Sequence, residues 1–170
     1  VGAIPYQSLS EFIDTASTLY FPFTGDPNAG TYRYKLQIKD KDGDFSNLSP
    51  YHNTIFVNQI FGTFNWNHYT IEHETVPLPS LNAYVLYRDD VGNGIWNPVI
   101  GVSGSQYTAS DPNYLSYPKG RWRIETNWST SCTPTAFIKP NYNSSLSNIK
   151  GAPITGLDNI ESDELEIIPI

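Results

Sequence analysis

The stretch Tyr32-Arg33-Tyr34-Lys35-Leu36-Gln37-Ile38 alternates apolar and polar residues and places Tyr32, Tyr34, Leu36 and Ile38 on one face. A period of two marks a half-buried β-strand, because successive side chains point to opposite faces of the pleat. Asp42-Gly43 follows, a dipeptide that suits the positive backbone angles of tight hairpin turns. The segment from Tyr51 to Val57 supplies the return strand. The same grammar continues along the chain. Phe64, Trp66 and His68 share a face, Tyr84-Val85-Leu86-Tyr87 forms a compact apolar strand, and a Gly-Asn-Gly turn at 92–94 separates it from Trp96–Val102. Tyr107 sits in another short strand, and Arg121–Glu125 puts Trp122 and Ile124 on one side. The best helical candidate, Ser8–Ile13, reads equally well as a strand.

Composition agrees with this pattern. The 170 residues include 12 Tyr, 8 Phe and 4 Trp, which favour strands, together with 13 Pro and 12 Gly, which punctuate turns. The formal charge is −7 with only 10 Lys and Arg, scattered along the chain, so no basic patch is present to neutralise nucleic-acid phosphates. Acidity gathers in Asp158, Glu161, Asp163, Glu164 and Glu166, the pattern of a solvated tail. The single Cys132 excludes an intrachain disulfide and a Cys-x-x-Cys metal site. No apolar run reaches the roughly 20 residues of a membrane-spanning helix.

An internal repeat organises the chain. Val1–Ile4 through Phe12-Ile13-Asp14 parallels Ile100–Val102 through Tyr107–Asp111. Tyr34-Lys35-Leu36 parallels Trp122-Arg123-Ile124, and Ser46–Pro50 with its return strand parallels Ser131–Ile149. The offset is roughly 90 residues, the length of one small sandwich domain. The expected fold is all-β: residues 1–57 as the C-terminal half of one module, 58–150 as a complete module, and 151–170 as an acidic linker. A half-sandwich exposes its core face and a sheet edge. Its missing strands are therefore expected from upstream sequence or from another chain.

The carriers of a family resemblance are Tyr32–Leu36 with Leu48–Ile55, then Phe64–Tyr69, Tyr84–Arg88, Trp122–Glu125, Cys132–Thr135 and Ser145–Ile149. In order and spacing over residues 1–150 the chain resembles the tandem fibronectin type III-like modules of large secreted and cell-surface Bacteroidetes proteins. The resemblance implies an immunoglobulin-like β-sandwich. Gly156–Ser162 running into Leu165–Pro169 resembles the linker and opening strand of the C-terminal sorting domain of the type IX secretion system. Ile168-Pro169-Ile170 departs from the Tyr-Pro-Asn-Pro-like opening of that family. This second resemblance implies a cargo at the cell surface or outside it. Its implied partners are the type IX machinery or its outer-membrane shuttle barrel.

Candidate chemistry is sparse. Asp40, Asp42 and Asp44 alternate as in a calcium loop, but Gly43 comes early and no distal Glu follows, so a hairpin turn competes with a calcium site. His68, Glu72, His73 and Glu74 offer zinc-ligand types, yet in an extended segment the two Glu face away from His73. Trp66 and Trp122 are expected in the core. Trp96 and Trp128 are candidates to stack on a glycan or anchor a protein ligand. Asp14-Thr15-Ala16 matches a short O-glycosylation pattern at Thr15. No catalytic motif is present. The sequence thus predicts a non-catalytic structural or adhesive region that contacts neighbouring modules and needs no cofactor other than calcium. The alternative is a carbohydrate-binding accessory module of a secreted hydrolase.

Overall fold

The computed structural model describes residues 27–130 and 144–151. Among the described residues, ten strands form three antiparallel sheets. In chain order they are β1 Arg33–Tyr34, β2 His52–Asn53, β3 Val57–Ile60, β4 Thr63–Trp66, β5 Thr70–Ile71, β6 Leu81–Asp89, β7 Asn97–Ser103, β8 Thr108–Ser110, β9 Arg121–Trp128 and β10 Lys150–Gly151. Among the described residues the only helix is a 3-10 turn at Tyr114–Ser116. The all-β expectation therefore holds. Tyr107 lies just before β8 rather than inside a strand, and Trp96 lies just before β7.

Two sheets share one core. A three-stranded sheet runs β3-β4-β8, and a four-stranded sheet runs β10-β9-β6-β7. From the first come Val57, Phe64, Trp66 and Ala109, and from the second Tyr84, Leu86, Trp122 and Ile124, all buried. Period-two patterning is the cause, since each strand sends alternate residues inward. Phe64 lies 5.6 Å from Trp122, and Trp66 meets Tyr84 edge-on at 5.5 Å, centroid to centroid. At the β3–β4 turn Gly62 has φ +80° and lies so close to Tyr114 that a Cβ would come within 2.7 Å of it. Only glycine satisfies both demands. Asn148 closes the seam between the sheets: its side chain accepts from Val57 N at 2.7 Å and donates to Val57 O at 3.1 Å.

The third sheet, β1-β2-β5, joins a hairpin spanning Tyr32–Thr54 to the sandwich. One pair of its hydrogen bonds repeats a pair in the β9–β10 region. Leu36 N donates to Ser49 Oγ and Ser49 N to Leu36 O, just as Ile124 N donates to Ser147 Oγ and Ser147 N to Ile124 O. Tyr34 faces His52 as Trp122 faces Lys150. Burial differs completely. Trp122 and Ile124 are 0% exposed, whereas their counterparts Tyr34 and Leu36 are 41% and 77% exposed. The half-buried strand expected at 32–38 is corrected here: strand pairing with β2 spans Arg33–Tyr34, and Leu36 and Ile38 are exposed.

Burial decides what these equivalent positions contribute. Ile124→Ala is expected to cost about 2–5 kcal/mol by leaving a cavity, and Leu36→Ala about 0.5 kcal/mol or less. Urea unfolding of the two variants checks the contrast.

Candidate interaction surfaces

The sites expected from sequence are placed as follows. Asp40 Oδ1 accepts from Asp42 N and Asp44 N, each at 2.9 Å, while Lys41 Nζ holds Asp42 at 2.8 Å. The triplet is built as an Asx-type turn, with Gly43 at φ +97°. Among the described residues no group of three or more His, Cys, Asp or Glu is arranged to hold a metal ion. His68 packs on the rings of Tyr84 and Tyr107, and burial pushes its pKa down. Glu72 instead turns to Lys35. Thr15, Cys132 and the tail at 152–170 lie outside the described residues.

Trp128 packs edge-on against Tyr69 at 5.4 Å and is partly buried against the core. Trp96 sits on the outer face of the four-stranded sheet. The Arg123 guanidinium lies 4.3 Å from its ring centroid and that of Arg121 lies 5.8 Å away, while Arg123 also reaches Tyr87 at 5.9 Å. Such stacking uses the electron-rich aromatic face. The structure therefore separates the two candidate tryptophans, one built into a junction and one into an arginine stack.

The loop beside Trp96 is anchored by a residue that sequence reasoning passed over. Asp89 is fully buried, and its carboxylate accepts from Gly92 N, Asn93 N and Gly94 N at 2.8–3.0 Å and from Arg121 Nη2 at 2.5 Å. Burial pushes the Asp89 carboxyl up; the Arg121 guanidinium and the three amides more than offset this and hold it at about 2. Gly94, at φ +89°, supplies a backbone conformation the loop needs. The only sequence signal was an Asp three residues before a Gly-Asn-Gly turn. A second network ties the sheets together. Asp111 accepts from Arg88 Nη1 at 2.8 Å, Trp122 Nε1 at 2.9 Å and Asn113 N at 2.9 Å, and Arg88 stacks on Tyr117 with 3.5 Å to the centroid. Both carboxylates are fully engaged by structural donors.

Hairpin and sandwich meet through a set of polar contacts. His52–Asn53 pairs with Thr70–Ile71, Glu72 N donates to Tyr51 O at 2.9 Å, and Tyr51 N donates to Glu72 Oε2 at 3.2 Å. Lys35 Nζ meets Glu72 at 2.6 Å, and Arg33 covers the Tyr51 ring at 4.6 Å. His52 Nδ1 and Tyr69 Oη are 2.5 Å apart, and Tyr69 leads to Trp128. Lys35 and Tyr51 hold Glu72 below the ordinary carboxylate range, the Lys35 hydrogen bond being the largest cause. No helix among the described residues is long and apolar enough to cross a membrane. Comparison with protein-family models, with curated proteins and with solved structures finds no match to this chain.

Removing Arg121 strands a buried charge. Arg121→Ala is expected to cost roughly 3–5 kcal/mol, read by urea unfolding at neutral pH. Because the folded state lowers the Asp89 pKa from 3.8 to about 2, its stabilisation is complete above the unfolded value and is lost as pH falls through that window. Unfolding of the wild type followed from pH 5 to pH 2 should show this decline, and Asp89→Asn should flatten it.

Proposed function

We propose that this chain is a non-catalytic structural region of a secreted or cell-surface protein, built from fibronectin type III-like modules and acting as a spacer or presentation stalk. The observation that carries the reading is the end-on attachment of a repeated hairpin to a sandwich through β2–β5 strand pairing. Further support comes from the strand order. A β3-β4-β8 sheet against a β10-β9-β6-β7 sheet is the arrangement expected of a seven-stranded sandwich of this class, with crossovers between the two layers. The twin hydrogen-bond patterns of the Tyr32–Thr54 hairpin and the β9–β10 region favour two copies of one module. In stacked modules each unit contacts mainly its neighbours, and stiffness depends on the junctions. Export by a type IX route and placement at a bacterial surface belong to the same reading, and rest on the sequence resemblance over 1–150 and 151–170.

A stalk transmits position only when its joints are stiff. The amide of Glu72, bonded to Tyr51 O, is therefore expected to exchange with solvent as slowly as amides within the β6–β9 pair, measured by hydrogen exchange and NMR. Exchange near the free-peptide rate would leave a loose tether and defeat the spacer reading. The competing role, glycan binding, requires Trp96 to offer a ring face now covered by Arg123. A glycan panel is expected to leave tryptophan fluorescence unchanged, and saturable quenching abolished by Trp96→Ala would replace the structural role with a binding one.

A further inference from the structure

Asn93-Gly94 is the one Asn-Gly pair in the 170 residues. Such a pair is chemically labile, because the amide nitrogen that follows the Asn meets no side chain as it approaches the carboxamide. Gly94 is required here for its backbone. Its φ is +89°, while a Cβ at that position would meet nothing within 4 Å. The left-handed conformation therefore imposes the glycine, and the lability comes with it.

The loop holds the two reacting groups in opposite states. The electrophile is primed: Asn93 Oδ1 accepts from Ile95 N at 3.0 Å, a donor placed where negative charge grows when the carbonyl is attacked. The nucleophile is withheld. Gly94 N donates to Asp89 Oδ2 at 2.8 Å, while Gly92 N and Asn93 N donate to Oδ1 of the same carboxylate at 2.9 and 3.0 Å. Ring closure needs the Gly94 nitrogen to give up its proton and to come within roughly 3–3.5 Å of Asn93 Cγ. The Asp89 carboxylate opposes both steps. It fixes the nitrogen in place, and its negative charge disfavours an amide anion beside it. Arg121 keeps that carboxylate ionised.

We infer that Asn93-Gly94 is a latent deamidation site and that Asp89 sets its rate. The reaction consumes one water per turn. Gly94 N, after losing its proton to solvent base, bonds to Asn93 Cγ. The Cγ–Nδ2 bond then breaks and ammonia leaves. Water opens the resulting succinimide at either carbonyl and returns aspartate or isoaspartate at position 93. Isoaspartate adds one methylene to the main chain between amides that Asp89 gathers, and either product sets a new negative charge beside a buried one. Conversion therefore loosens the loop next to Trp96. In the folded chain the reaction waits on local opening of the Gly94–Asp89 bond. The site is a property of this loop and holds whatever role the module plays.

The test incubates the 170-residue chain in mildly alkaline buffer, native and in guanidinium chloride, and follows conversion at position 93 by peptide mapping and mass spectrometry. Native conversion is expected to be at least about tenfold slower than conversion in guanidinium. The hydrogen-exchange protection factor of the Gly94 amide, measured in the same native buffer, should match that retardation within about threefold, since both processes need the same opening. An Asp89→Ala protein that keeps its native tryptophan fluorescence should convert at least about tenfold faster than the wild type. Native conversion as fast as in guanidinium overturns the inference. So does a folded Asp89→Ala protein that converts at the wild-type rate, and so does slow conversion beside an unprotected Gly94 amide. Should Asp89→Ala fail to fold, the agreement or disagreement of the two wild-type factors decides alone.

Discussion

The indole of Trp122 is the point on which the sandwich depends. Its ring lies 5.6 Å from Phe64 of the opposite sheet and 4.8 Å from Tyr114 of the 3-10 turn, and it is wholly buried. A buried indole N–H needs an acceptor, since an unpaired one costs about 1–3 kcal/mol. Asp111 provides it and is itself neutralised by Arg88. One side chain thereby couples the apolar packing of two sheets to an ion pair that fixes the 111–117 connection. Asp89 with Arg121 repeats the device one strand away, holding the loop of residues 92–94 against the start of β9. The carboxylates that drew attention by being buried are thus committed to architecture.

The same logic explains how two segments of similar sequence reach different ends. The hairpin Tyr32–Thr54 and the β9–β10 region share one pattern, a serine hydroxyl accepting from the backbone of the facing strand, at Leu36–Ser49 and at Ile124–Ser147. Backbone bonding therefore sets the shape of the hairpin, and neighbours set the burial. Where β6 and the opposite sheet lie alongside, the inward residues are sealed. Where they do not, the hairpin is held at its base by β5, Glu72 and the His52–Tyr69 contact.

Much of this was legible in the residues. Alternation at Phe64–His68, Tyr84–Tyr87 and Arg121–Ile124 marked strands correctly because burial on one face enforces period two. The pairing of Tyr34-Lys35-Leu36 with Trp122-Arg123-Ile124 matched positions that the hydrogen bonds make equivalent. Exposure was not legible: Tyr32–Ile38 reads as half-buried in any single sequence, because the pattern records which side is apolar and not whether anything covers it. The Asp89 and Asp111 networks were missed because each pairs residues 23–32 positions apart, a distance at which local patterns are silent. Trp96 and Trp128 looked alike in sequence, and only their neighbours, Arg123 for one and Tyr69 for the other, separate them.

The central claim is that the hairpin and the sandwich form one stiff unit. Residual dipolar couplings of backbone amides in weakly aligned protein test it most directly. The account predicts that couplings from Arg33–Asn53 and from Val57–Trp128 fit a single alignment tensor with one magnitude and orientation. Two tensors of different magnitude, with reduced couplings in the hairpin, would mean that the joint swivels and would contradict it.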